Sequence, residues 1–152
     1  MIPILILQVF LFPLTASGLM NVWVNSRRNL ALQDVASHLS STVQQLYFSL
    51  NHATMQAGTA RYSPRLPPLI ENLCYTATAK LRSTAAATPN ASQILDIEVI
   101  LVGTGNALTA SVLLGPNVNW QNSVFESNST YAAVAALKFS NGTVALWFES
   151  QE

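Results

Sequence analysis

The chemistry-bearing side chains of this 152-residue chain are few: two histidines, one cysteine, a pair of neighbouring carboxylates and three Asn-X-Ser/Thr tripeptides. His38 and His52 are 14 positions apart on a segment with helical periodicity. At the helical rise they stand about 21 Å apart, so one chain's pair cannot share a metal ion. Asp96 and Glu98 lie two apart on a strand pattern, about 7 Å by strand rise. Two carboxylates at such a distance are capable of acid–base work, but a solvated strand face accounts for them without it. Cys74 has no second cysteine in the chain; it forms no intrachain disulfide and is expected to be a buried apolar residue. No nucleophile motif, phosphate loop or metal-ligand spacing occurs, so neither an enzyme nor a metal or cofactor site is expected. The tripeptides Asn90-Ala91-Ser92, Asn128-Ser129-Thr130 and Asn141-Gly142-Thr143 fit the acceptor pattern for N-glycosylation. Asn90, Asn128 and Asn141 all fall in expected loops or turns of the back half, so covalent N-glycans are the one non-protein group anticipated.

Charge is scarce. The chain has 7 Lys+Arg and 7 Asp+Glu, 9% charged residues and 50% hydrophobic ones, against about 25% charged in an ordinary soluble domain. Disorder is excluded by that hydrophobicity. The zero formal charge gives no electrostatic footprint for nucleic acid. No charge falls in residues 1–26; Arg27, Arg28 and Asp34 are the three in 27–58, and the other eleven lie in 59–152.

The elements must explain that asymmetry. Residues 1–24 are almost wholly apolar and rise about 36 Å as a helix, enough to cross a bilayer core. Trp23 sits where interfacial aromatics gather, followed by Arg27 and Arg28. A secretory signal peptide needs a basic region ahead of a shorter apolar core; here none precedes the run. Helical periodicity continues past the apolar segment. Leu32, Val35, Leu39, Val43, Leu46 and Leu50 recur at intervals of 3 or 4, one stripe of an amphipathic helix. Gly58 is expected to end the helix, with Pro64, Pro67 and Pro68 preventing its continuation. Pro3 is harmless in the first turn. Pro13 is interior and is expected to kink the helix, near Ala16, Ser17 and Gly18, which are small enough for close helix approach.

Behind a Pro-rich linker at 59–69, period-two alternation marks five strands at 75–82, 94–102, 107–114, 131–139 and 143–149. Tyr75, Ala77, Ala79 and Leu81 share one face; so do Leu95, Ile97, Val99 and Leu101, and Leu108, Ala110, Val112 and Leu114. Asn141-Gly142 is a hairpin signal and Gly103-Thr104-Gly105-Asn106 a second turn. The expected fold class is α+β: a long N-terminal helix (1–58) and a small antiparallel sheet or sandwich (70–152). A core this small gains from packing on the helix or on other copies. Trp120 and Phe125 lie in a loop at 115–130, placed either on a contact surface or in the core.

A long helix, apolar then amphipathic, joined to a small β domain with acceptor tripeptides resembles the type IV pilin-like subunits of archaea. The stretch Val22-Trp23-Val24-Asn25-Ser26-Arg27-Arg28-Asn29-Leu30-Ala31-Leu32-Gln33-Asp34, continuing to Ser41-Thr42-Val43-Gln44-Gln45-Leu46-Tyr47, carries most of the likeness. Leu5 stands where bacterial members usually carry Glu, which points to the archaeal branch. The resemblance implies a basic leader removed by a dedicated peptidase, so that this chain is the mature form. It implies residence in the membrane through residues 1–24, then assembly by dedicated machinery into an extracellular surface filament. Such a homopolymer would pack Ile2, Ile4, Leu5, Leu7, Phe10, Leu11, Phe12, Leu14, Leu19, Met20, Val22 and Trp23 into its core. The β domain would face outward, glycosylated, toward a host or abiotic surface. The expected role is structural subunit of an archaeal adhesion pilus; an archaellin-type motility filament subunit and a single-pass anchored surface-binding protein are the alternatives.

Overall fold

The computed structural model describes residues 2–84 and 90–152, with side chains from residue 3 onward. Residues 85–89 of the expected 83–91 loop, Met1 and the side chain of Ile2 lie outside the described residues.

Among the described residues one helix, α1 (Ile2–Asn51), is followed by eight strands: β1 (Gly58–Tyr62), β2 (Tyr75–Ser83), β3 (Gln93–Leu101), β4 (Ala107–Leu114), β5 (Val118–Trp120), β6 (Val124–Glu126), β7 (Tyr131–Lys138) and β8 (Val144–Gln151). They form two four-stranded sheets, β1-β7-β8-β5 and β4-β3-β2-β6. The layout is α+β, as the periodicities imply. The all-antiparallel expectation needs one correction: β5 pairs with β8 in parallel, Val118 opposite Val144. A parallel partner needs a long connection, and β5 reaches β8 only after the chain has passed through β6 and β7.

The strands β2, β3 and β4 run where alternation places them, each with one apolar face turned inward, whereas β7 and β8 are buried on both faces, Ala133 to Ala136 and Val144 to Leu146 being enclosed in succession. Ala77 and Ala79 on β2, the four inward residues of β3, and Val112 and Leu114 on β4 are buried. They meet Val134, Ala136, Val144, Leu146 and Phe148 of the other sheet in a single cluster. The turn at Asn141-Gly142 closes the β7–β8 hairpin, with Gly142 at φ 86° as such a turn requires.

The C-terminal half of α1 completes this core. Leu32, Val35, Leu39, Val43 and Leu50 are buried and Leu46 is half-buried, together with Ala36 and Tyr47. The stripe therefore packs on the chain's own strands, and residues 31–51 are part of the folded domain. The division into a helical unit at 1–58 and a β unit from 70 is corrected accordingly: an apolar stripe beside two half-covered sheets is buried by the nearest apolar surface.

The helix also ends earlier than expected. It stops at Asn51, and Gly58 opens β1, which pairs with β7 from Gly58↔Lys138 to Tyr62↔Val134. The expected 59–69 linker thus begins as an edge strand. No basic residue occupies the last helical turn. Lys138, buried on β7, supplies the charge instead, donating from Nζ to the carbonyls of His52 at 3.0 Å and Met55 at 2.9 Å. A cation at this end complements the helix dipole and satisfies open carbonyls.

Candidate assembly surface

The N-terminal half of α1 leaves the domain. From Pro3 to Leu30 every described position is exposed except Ala16, Val24 and Arg28, which are intermediate. Ile4, Leu5, Leu7, Phe10, Leu11, Phe12, Leu14, Leu19, Met20, Val22 and Trp23 are all exposed, Leu14 to 68% and Trp23 to 58%. None of them belongs to the buried core cluster of the described residues. Contiguous apolar surface on this scale marks an interaction site for protein or lipid. By length and composition this helix is sufficient to cross a membrane.

Local hydrogen bonding shapes the surface. The helix runs through Pro13 as one α-helical element. Pro13 has no N–H, so the bond that the Val9 carbonyl would accept from position 13 is missing. Thr15 Oγ1 donates to the carbonyls of Leu11 (3.1 Å) and Phe12 (3.0 Å), and Ser17 Oγ to that of Leu14 (3.0 Å). These hydroxyls are satisfied within the helix, which keeps the face apolar. A Cβ on Gly18 would meet nothing within 4 Å, so no contact inside the chain requires glycine there.

A polar collar encircles the point where the helix enters the domain. Arg27 stacks over Trp23, 4.9 Å from the ring centroid. Arg28 Nε donates to Glu71 Oε2 at 3.0 Å, and Arg27 Nε lies 3.8 Å from Glu71 Oε1. Glu71 and Asn72 form a two-residue turn with φ of 48° and 64°, closed by reciprocal bonds between Ile70 and Leu73. Both residues occupy the left-handed region, the pattern of a type I′ turn, where glycine or asparagine is usual and glutamate is strained. The strained turn aims a carboxylate at two arginines. Sequence reasoning missed this contact, since Glu71 carries no local signal for a partner 43 positions away.

The remaining chemistry-bearing residues are dispersed. His38 pairs with Asp34 across one helical turn at 3.9 Å, and His52 Nδ1 bonds Thr54 Oγ1 at 2.9 Å. Among the described residues no group of three His, Cys, Asp or Glu could hold a metal ion. Cys74 is half-buried, less enclosed than its apolar character predicts; it precedes β2, outside the inward alternation. Asp96 accepts from Arg82 Nε at 2.6 Å and from Ser111 Oγ at 2.5 Å. The Arg82 bond first, then the Ser111 bond, holds its carboxyl below the usual range. It is therefore a stable anion tied across three strands, the opposite of a proton donor. Glu98 is exposed on the same face, and both carboxylates line a shallow groove with Thr78, Lys80, Thr109 and Asn122.

No family model, curated protein or solved structure matches this chain. The functional reading rests on the chain's own geometry.

Asn90, Asn128 and Asn141 are exposed. Asn141 Oδ1 accepts from the Thr143 N–H at 3.0 Å, an Asx turn at the hairpin tip. Trp120 is half-buried against Phe148, and Phe125 is buried beside the same ring. Of the two readings for these aromatics, the core one holds for Phe125.

Proposed function

We propose that the chain is the structural subunit of an extracellular type IV pilus-like filament of the archaeal adhesion type. It polymerises through the helix that projects from its folded domain. The observation that carries this reading is the division of one uninterrupted helix. Residues 32–50 are spent on the core of their own domain, whereas residues 3–24, almost wholly apolar, stand exposed ahead of the Arg27–Arg28 collar. A helix apolar on every side is stable only among lipid tails or other apolar helices. Exchanging the first for the second changes little in transfer energy, so assembly gains from packing. A head-to-tail contact that does not close produces an open helical polymer. Membrane residence before assembly fits the Trp23–Arg27 pair at the end of the apolar run. The outward position of the three acceptor asparagines fits a glycosylated filament exterior.

The test is purification of surface filaments containing this chain and reconstruction of their symmetry. The N-terminal helices belong at the axis and the strands outside. Recovery of the native protein solely as lipid-embedded monomers would overturn the reading. That outcome favours the second one, a membrane-anchored surface-binding protein, to which the same exposed helix and interfacial Trp23 also fit.

A further inference from the structure

The polar groups of the projecting helix offer a specific contact within that proposed polymer. Between residues 1 and 14 the one side chain with a hydrogen-bonding amide is Gln8. It has no hydrogen-bond partner within the described residues. It lines one depression on the helix with Leu5, Val9, Phe12 and Pro13. Val9 and Pro13 line that same depression, and Pro13 lacks the N–H that would otherwise bond the Val9 carbonyl. The hydroxyl of Thr15, the nearest alternative donor, is committed to the carbonyls of Leu11 and Phe12. One face therefore bears a donor without an acceptor and an acceptor without a donor, in a segment that the filament would remove from water. Lipid tails satisfy neither group, and each unsatisfied group is costly there.

We infer that the occupant of this face is a second copy of the chain, with the Gln8 side-chain amide of one copy donating to the Val9 carbonyl oxygen that Pro13 leaves open on the next. Every copy presents both halves of the contact, so a head-to-tail series satisfies all of them except at its ends. The contact fixes axial register in the first fourteen residues, whose other side chains are apolar and offer no directional bond. On this view the role of Pro13 is to leave an acceptor open. The inference rests on the filament reading and deepens it.

The hydrogen-bond asymmetry supplies the test. Removing one partner strands the other, whereas removing both together is nearly neutral. Full-length wild-type chain, Gln8→Met, Pro13→Ala and the double variant are assembled from detergent, and the critical concentration for filament formation is measured. Thermal unfolding of the β domain serves as the folding control. Pro13→Ala returns an intrahelical donor to Val9 and strands Gln8; Gln8→Met strands Val9. Each single substitution is expected to raise the critical concentration about tenfold or more, up to loss of filaments. The double variant is expected to assemble better than either single. A double variant no better than the worse single overturns the contact, as does a Gln8→Met chain that assembles like wild type; in both cases the filament reading stands. If the wild-type chain forms no filaments, both fall.

Discussion

The Tyr47 hydroxyl donates a 2.5 Å hydrogen bond to Asn117 Oδ1, joining the last turns of α1 to the loop ahead of β5 across 70 positions of sequence. Asn117 also donates from Nδ2 to Asn51 Oδ1 and to the Gly142 carbonyl, each at 2.7 Å. One amide thus ties the helix end, the β4–β5 loop and the β7–β8 turn. The loop comes this close because Gly115 has no side chain: a Cβ there would run into the Tyr47 hydroxyl.

Gly115→Ala is therefore expected to destabilise the detergent-solubilised chain by about 1–3 kcal/mol. Tyr47→Phe should cost about 1 kcal/mol for the lost bond. Because Tyr47→Phe also removes the clashing oxygen, the double variant should be more stable than the sum of the two losses predicts. Thermal unfolding of the four proteins gives the cycle. Strict additivity would mean that the loop relaxes away from the ring.

The collar turn makes a salt-dependent prediction. Asn72→Gly relieves left-handed strain and should raise stability by a few tenths to about 1 kcal/mol. Glu71→Gly gives the same backbone relief but loses the bond to Arg28. Its net effect at low salt should be close to zero and should turn stabilising as added salt screens the ion pair in the reference protein. Melting temperatures in low and high salt check the sign change.

Much of this architecture is legible in the sequence, because period and burial agree over long stretches. The stripe from Leu32 to Leu50 and the inward faces of β2, β3 and β4 each extend over several repeats. The missed elements lack that length. β5 and β6 have three residues each and β1 has five, with Ala60 the one apolar residue of Gly58–Tyr62 that packs on the core. Alternation has no room to register there. The end of α1 at Asn51 was illegible for a different reason, since its capping cation, Lys138, comes from β7. Glu71 and Asn117 act through partners far along the chain. The exposure of residues 3–24 was legible as an apolar run, whereas the burial of the stripe from Leu32 within its own domain required the fold.

Tyr75 sets an alkaline limit. Its side chain is buried, its hydroxyl donates to the Pro67 carbonyl at 2.6 Å, and burial pushes its pKa up from 10.0 to about 12. Burial likewise raises that of Tyr47. The unfolded chain loses these protons first, so the stabilisation is complete below pH 10 and is lost as pH rises from 10 toward 12. Tyr75→Phe should be somewhat less stable at neutral pH and show a shallower decline across that window. An unchanged slope in equilibrium unfolding would show that Tyr75 ionises as readily in the fold as outside it.

The two halves of α1 should respond oppositely to substitution. Leu39 is fully buried and Leu14 is exposed. Leu39→Ala should lower domain stability by about 2–5 kcal/mol, whereas Leu14→Ala should leave it within about 0.5 kcal/mol. Leu14→Asp should spare the domain melt but oppose membrane insertion by roughly 2.5–3.5 kcal/mol, read as a shift of the full chain out of the membrane fraction.

The acceptor asparagines give a prediction about the outside of the assembly. Asn141 sits at the β7–β8 tip, exposed, with its Oδ1 holding the Thr143 N–H. Thr143→Ala abolishes the acceptor pattern and leaves that backbone bond in place, so folding is preserved while modification is not. Asn128→Gln is the better change at the second site, because the Thr130 hydroxyl donates to the Gln151 carbonyl and its removal would loosen the chain terminus. If the β domain faces the exterior of a filament, native protein should be heavier than its enzymatically deglycosylated form. Each of these substitutions should then subtract one glycan in intact-mass measurement without changing the domain melt. A native mass unchanged by deglycosylation would remove the glycosylated exterior from the reading and leave the helix as its whole support.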